Sequence, residues 1–341
     1  MTTLAIGTDK GGWVYQREGT DWQIKEPFFP GWRVTAFGKA ADGTYLAGTA
    51  SGWFGPGLHV SNDLQDWQAI ESGPQFEGTD AELEQIWTFT TGPDGRVWCG
   101  VAQAGVFVSD DNGHTWQGLS GFNDHPSRPV WQPGAGGMCA HRIVLDGERV
   151  TVGASAVGVL RSDDGGQTFD LRTDGLDIAA PNPDHPGVGS CVHALVADPS
   201  NPDLLWQQNH QGVYRSQDAG DHWERIEEGL PATFGFPIVR DEASGALFVV
   251  PLSADVDRTP VEGRFMAYRS TDEGDSWHPS GTGWPTDPNF DLVLRGAMAT
   301  DGDGGVVLGT TGGQLWATDD GGDHWERLPG TLPRINAVAV L

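Results

Sequence analysis

The chain contains ten histidines, and five of them, His125, His141, His185, His193 and His210, lie close together in sequence. Two of the approaches to them resemble each other. Asp124-His125-Pro126 precedes Pro133-Gly-Ala-Gly-Gly-Met-Cys139-Ala-His141, and Asp184-His185-Pro186 precedes Gly-Val-Gly-Ser-Cys191-Val-His193. Residues two apart on a strand share one side, so each Cys-x-His pair presents a thiol and an imidazole together. That donor set suits Zn, Cu or Fe. His210, in Gln207-Gln-Asn-His210, is placed to complete a cluster with His141 and His193, and the cluster predicts one divalent transition metal (Zn, Mn, Cu or Fe). Without a metal, the same histidines serve as hydrogen-bonding and acid–base groups of a ligand pocket, and Cys139 and Cys191 are small packing residues. Under both readings His141, His193 and His210 are the catalytic candidates.

The elements that must position them follow from composition and repeats. With 50 Gly, 22 Pro and 15 Trp in 341 residues, the chain suits many short strands joined by turns and not a helical bundle. A hydrophobic content of 38% is enough to build a core, which argues against disorder. Five segments share the pattern [ST]-x-D-x-G-x-x-[WF], beginning at Ser109, Ser162, Ser216, Ser270 and Thr318. A sixth, Ser61 to Trp67, is one residue short, and a seventh survives mainly as Trp22. The closing aromatics at 22, 67, 116, 169, 223, 277 and 325 recur about every 45 to 54 residues, the length of a propeller blade. In each copy Ser/Thr and Asp can bond the turn backbone, Gly supplies a positive φ, and the aromatic packs under the turn.

Four strands per blade can be traced back from each turn. Inner strands are expected at Val34–Ala40, Gln85–Thr90, Cys139–Leu145, Cys191–Ala197, Phe236–Arg240, Leu294–Ala299 and Ile335–Leu341. Second strands include Val97–Val101, Leu204–Gln208 and Val306–Thr310. Residues 1–25 supply only three strands, and 335–341 has no blade of its own. It is therefore predicted to be the inner strand of the first blade, leaving no free sheet edge. The predicted fold is all-β, a seven-bladed β-propeller forming a single domain over 1–341.

The repeated turn resembles the Asp-box, or BNR, repeat of sialidases, sortilin-type propellers and a photosystem II assembly factor. The whole chain is similar to bacterial sialidase-like and glycosyl-hydrolase-like Asp-box propellers, including Trp-x-Pro-Gly-x-Gly-Gly at 131–137 and Gln-x-His at 208–210. The resemblance implies that the boxes lie on the face opposite the binding site, so Asp111, Asp164, Asp218, Asp272 and Asp320 are structural. Sialidase chemistry itself is not expected. The F/Y-R-I-P motif is missing, with only an echo in Leu332-Pro-Arg-Ile335, and the tyrosine nucleophile has no counterpart.

The five histidines then map to the entry face of the fourth and fifth blades, beside long loops at 117–138, 170–190, 279–291 and Ser253–Arg264. Trp32, Trp53, Trp87, Trp131 and Trp284 are assigned to the same rim, either as flat surfaces for sugar rings or as loop packing. Arg33, Arg295 and Arg334 stand near the starts of inner strands, either to clamp a carboxylate or phosphate or to pair with loop acids. Arg295 joins the catalytic candidates. Gln103 and Gln208 end second strands as polar lining, and His125 and His185 complete the expected ligand-binding set.

A formal charge of −27 repels nucleic acid and anionic lipid. It fits either a salt-rich habitat or an ordinary acidic surface in an arginine-biased genome. The start of the chain shows no signal peptide, and three cysteines suggest no disulfide framework, so a cytoplasmic monomer is expected. Two functions from different classes remain. One is a small-molecule site for a carbohydrate or anion, with metal-dependent hydrolysis or elimination. The other is a non-catalytic scaffold that binds peptide or protein on the same face.

Overall fold

Short runs of Val, Leu, Ile and Phe become strands because branched and aromatic side chains pack well on a pleated surface, and Gly, Asp and Ser end each run. The computed structural model describes residues 3–19, 21–78, 81–134, 136–179 and 181–341. Ala135 in the 131–137 segment and Ala180 in the 170–190 loop lie outside the described residues. Among the described residues the protein is all-β, with one short helix at Ser120–Asn123 and two 3-10 turns at Arg128–Val130 and Val261–Gly263.

The strands form five four-stranded sheets and one eight-stranded sheet. In the eight-stranded sheet, Ile335–Val340 pairs antiparallel with Thr3–Thr8, matching Leu4 to Val340 and Ile6 to Val338. A single parallel pair, Gly296 with Ala337, joins these strands to the four strands that begin with Val293–Thr300. Second strands Val97–Val101 and Val306–Thr310 fall where the alternation places them, and the one expected at Leu204–Gln208 is longer, Asn201–Asn209.

The chain divides into two compact units. The first comprises Met1–Gly31, His193–Ala219 and Trp223–Leu341, and the second Trp32–Val192 and Gly220–His222. The first unit buries one cluster around Ile6, Phe248, Leu308, Trp325 and Ile335 and another around Trp206, Ile238 and Trp277. The second buries clusters around Val152 and Phe169 and around Leu46, Val97 and Phe107.

Some second strands carry a glycine where a neighbouring inner strand presses close. A Cβ at Gly100 would stand 2.5 Å from the Ala140 carbonyl oxygen, and one at Gly309 would stand 2.5 Å from the Ile335 side chain. Inner strands in turn carry register shifts, between Val34 and Ala36, Ile86 and Thr88, and Ala140 and Arg142. Such bulges re-aim the side chain they carry, here Thr35, Trp87 and His141.

The repeated turns share one hydrogen-bond scheme. Ser109 Oγ donates to Asp111 Oδ1 (2.8 Å) and accepts from the Gly113 amide (2.8 Å), while Asp111 also accepts from Thr115. Ser162, Ser270 and Thr318 repeat the donation to Asp164, Asp272 and Asp320, each at 2.7 Å. These contacts hold the Asp164 and Asp272 carboxyls at about 2: for Asp164 chiefly the Thr168 amide, for Asp272 chiefly the Ser276 and Ser270 hydroxyls. The turn aromatics Trp223, Trp277 and Trp325 are fully buried, and the Trp277 indole donates to the Ile226 carbonyl at 2.7 Å. These aspartates thus serve the turns.

Candidate functional site

Five segments of the first unit converge on one pair of histidines. His193 stands at the start of Val192–Asp198. His210 occupies a tight turn closed by the Asn209–Gly212 pair. Phe234 and Phe236 come from Phe234–Arg240, where a register shift between Gly235 and Ile238 breaks the regular alternation. Asp255 and Arg258 lie on the loop after Leu247–Leu252, and Arg295 on Val293–Thr300 within another shift, between Val293 and Met298.

The rings of His193 and His210 are 5.6 Å apart, nearly perpendicular. Phe234 and Phe236 pack against His193 at 5.6 and 5.0 Å. The guanidinium carbons of Arg295 and Arg258 lie 4.7 and 5.7 Å from the Phe236 ring centre, within cation–π reach. Arg258 is braced by the Asp255 carbonyl at 2.8 Å and by its carboxylate at 3.2 Å, and the same carboxylate faces His210 Nε2 at 3.3 Å.

His193 is 1% exposed. Burial pushes its imidazole well below the usual histidine range, and the charges of Arg295, His210 and Arg258 act the same way against the bond to Gly235. It is therefore neutral at pH 7. Its Nδ1 lies 2.6 Å from the Gly235 carbonyl oxygen. A carbonyl only accepts, so Nδ1 carries the proton and Nε2 keeps its lone pair. The result is an unprotonated ring nitrogen beside two guanidinium groups, an arrangement able to take an anion and a proton from it.

Gln208, expected as lining, is 1% exposed and does another job. Its Nε2 donates to the Asn209, Gly212 and Thr233 carbonyls at 3.0, 3.3 and 3.0 Å, which ties the His210 turn to the segment leading into Phe234. Arg334 is exposed, and its carbonyl accepts the Asp9 amide at 3.0 Å.

The remaining candidates belong to the second unit. His141 is buried, with Nε2 on the Ser155 hydroxyl, whose oxygen is 3.3 Å from the Val192 carbonyl oxygen. Trp87 meets the His141 ring edge-on at 4.5 Å. His125 is buried with both ring nitrogens engaged, Nδ1 with Ser127 Oγ (2.8 Å) and Nε2 with the Phe169 carbonyl (3.1 Å). Trp131 stacks on it and donates to the same serine at 2.9 Å, so these two residues pack a loop instead of lining an open rim. Gln103 sits in a hairpin turn at φ 69°, where it donates to Glu84 at 2.6 Å and its carbonyl accepts from Arg128. Trp32 stacks on Phe54 at 5.7 Å, Arg33 is exposed, and His185 is half-buried.

Four residues of the site, Phe234, Phe236, Asp255 and Arg258, were not nominated by sequence. The available signal was the length of the Ser253–Arg264 connection; Phe236 was read only as the start of an inner strand.

No family model and no curated protein matches the chain. Solved structures do match. YCF48 from Cyanidioschyzon merolae is similar at 10% identity and TM-score 0.55, over 87% of this chain and 85% of that one. An ancestral GH74 enzyme is similar at 16% identity and TM-score 0.57, over 96% of this chain. The chain has a β-propeller fold. It spans only 40% of the GH74 enzyme's length, and at these identities the likeness concerns fold alone. No described helix is long and apolar enough to cross a membrane.

Proposed function

We propose that the first unit binds a small carboxylate-bearing molecule and performs proton-transfer chemistry on it, of the hydrolysis or elimination type. The observation that carries this reading is the approach of Arg258 and Arg295 to one aromatic ring beside a histidine buried in its neutral form. Guanidinium groups give charge-assisted, planar recognition of a carboxylate. His193 Nε2 is the general base. Asp255, shared between His210 and Arg258, orients both.

We also infer that the repeated turns are Asp boxes of the sialidase-like propeller type. Four-stranded grouping throughout the sheets supports seven blades, the first completed by 335–341.

Calorimetric titration of metal-free protein with a panel of small carboxylates and phosphates tests the ligand reading. Loss of charge-assisted bonds of about 1.5–3 kcal/mol predicts roughly ten- to hundredfold weaker carboxylate binding in Arg295→Ala, with partial retention in Arg295→Lys. A panel that leaves the wild type silent, or Arg258→Ala and Arg295→Ala proteins that bind as tightly as the wild type, would overturn it.

A further inference from the structure

We propose that the second unit carries a separate binding site, for a guanidinium group, in the cavity beside Trp116. The cavity has a volume of about 550 Å³, and Gln75, Phe76, Glu77, Trp116, Gln117 and Asp124 are among its walls. Its origin shows in two segments of like sequence, one in each unit. Ser280-Gly-Thr-Gly-Trp284 and Ser72-Gly-Pro-Gln-Phe76 share the spacing of serine, glycine and aromatic. Each precedes the first strand of a four-stranded group, Val293–Thr300 in one case and Ile86–Thr91 in the other. Each serine hydroxyl donates to a carbonyl of the repeated turn in its own unit, Ser280 to Gly322 and Ser72 to His114, both at 2.9 Å.

What differs is the size of the aromatic. The Trp284 indole spans two rings, Trp316 on the third strand at 5.6 Å and Trp325 at the turn at 4.7 Å. Phe76 reaches only the first of the matching pair. Its ring meets Phe107 edge-on at 5.2 Å, and a Cβ at Gly105 would stand 2.5 Å from it. The ring beside Trp116 is instead Phe89, tilted at 6.1 Å. Trp116 is therefore half-buried where Trp325 is fully buried, and the cavity stands where a larger aromatic would have covered it. The Trp116 indole N–H donates to the Gly113 carbonyl at 3.0 Å, which fixes the plane of the ring.

Shape and charge then select the ligand. The exposed carboxylates Glu77 and Asp124 line the cavity, and among the described residues no lysine or arginine does. Arg128 stands 5.6 Å from the centre of the Phe76 ring, but its guanidinium donates to the Gln103 and Ala104 carbonyls at 2.8 and 2.9 Å and forms no part of the walls. The amide oxygens of Gln75 and Gln117 add acceptors. A guanidinium is planar and always charged, stacks on aromatic faces, and donates several N–H bonds to carboxylates and amides. It meets both the uncovered ring and the acidic walls. This ligand has the opposite charge from the carboxylate proposed for the first unit, so neither reading depends on the other. Free small molecules and arginine side chains of a polypeptide both supply the group, and the test separates them.

Calorimetric titration of the full chain at low salt compares arginine amide with citrulline amide, its uncharged urea counterpart, and with the blocked peptide Gly-Gly-Arg-Gly-Gly. Arginine amide should bind saturably, and citrulline amide about tenfold more weakly or worse. Peptide affinity equal to that of arginine amide identifies a small-molecule site, and peptide affinity about tenfold tighter identifies a displayed arginine. Glu77→Gln and Asp124→Asn, at exposed positions, should each weaken arginine amide roughly two- to fivefold, with the loss shrinking at high salt. Trp116→Leu should weaken it about tenfold; if that variant does not fold, the two acid variants decide. Glu326→Gln, exposed on an outer strand of the first unit, is the control. No saturable binding of either arginine ligand, equal affinity for arginine and citrulline amides, or unchanged affinity in the Glu77→Gln, Asp124→Asn double variant would overturn the proposal.

Discussion

Cys139-Ala-His141 and Cys191-Val-His193 have the same spacing at the start of inner strands, yet their histidines meet different surroundings. His141 directs Nε2 to Ser155 and packs on Trp87. Its polar contact is answered within its own sheet, because Ser155 is the residue paired with Cys139. His193 bonds the Gly235 carbonyl through Nδ1, keeps Nε2 unprotonated, and faces His210, Arg258 and Arg295. The same spacing therefore leaves His141 bonded to a serine of its own sheet and His193 beside two guanidinium groups. What differs is supplied from elsewhere: a turn at 210, a loop at 255–258 and a strand at 293–300.

Paired substitutions would break or sharpen this contrast. The largest effect is expected at the histidines. His193→Ala should weaken carboxylate binding roughly ten- to hundredfold, the order expected for losing a hydrogen bond to a charged group. His141→Ala should leave carboxylate binding within about twofold. It should instead lower unfolding free energy by about 1–3 kcal/mol, because Ser155 loses one of its two buried partners. Chemical denaturation and titration on the same samples separate the two, and equal effects on ligand binding would end the distinction.

The glutamines give the next contrast. Gln208→Ala removes the buried amide whose two N–H groups serve the Asn209, Gly212 and Thr233 carbonyls, so a stability loss of about 1–3 kcal/mol is expected. Ligand affinity should also fall several-fold as the His210 turn loosens. Gln103→Ala removes an exposed contact with Glu84, and a change within about 0.5 kcal/mol is expected. Thermal melts of both proteins check this.

The smallest effect is a separation in pH. A histidine whose folded value is depressed contributes stability that is complete above its ordinary 6.5 and is lost as pH falls below it. The turn aspartates, held at about 2, contribute above their ordinary 3.8 and lose it as pH falls toward 2. Acid should therefore begin to weaken the His193 region as pH falls below 6.5, before the turns respond. His59 and His125 shift in the same direction through burial. Melting curves of the wild type and His193→Phe across pH 7 to 3 isolate the His193 share, which is the part lost in the variant. Parallel curves would show that His193 titrates normally.

Strand positions and the repeated turns were legible in the sequence because their determinants are local. Alternating apolar residues, a Ser/Thr and an Asp two apart, and a glycine before the aromatic act within a few residues of one another. Val97–Val101 and Val306–Thr310 lie where the alternation puts them, and the turn bonds run from Ser109 to Thr115 without outside help. His193, His210 and Arg295 were also nominated, because residue type and repeat position were enough to single them out.

Repeat position could not show which histidine would meet a serine of its own sheet and which would face guanidinium groups. That depends on register shifts in the inner strands, which turn Trp87 and His141 off the regular alternation and leave no mark in composition. It depends also on Phe236, Asp255 and Arg258, brought to His193 across long separations in sequence. The sequence by itself determined the short strands, the turns between them and the supply of imidazole, thiol and guanidinium, all set by neighbouring residues. Tertiary structure alone decided their environment, because burial, hydrogen-bond direction and local charge arise only when distant segments pack together.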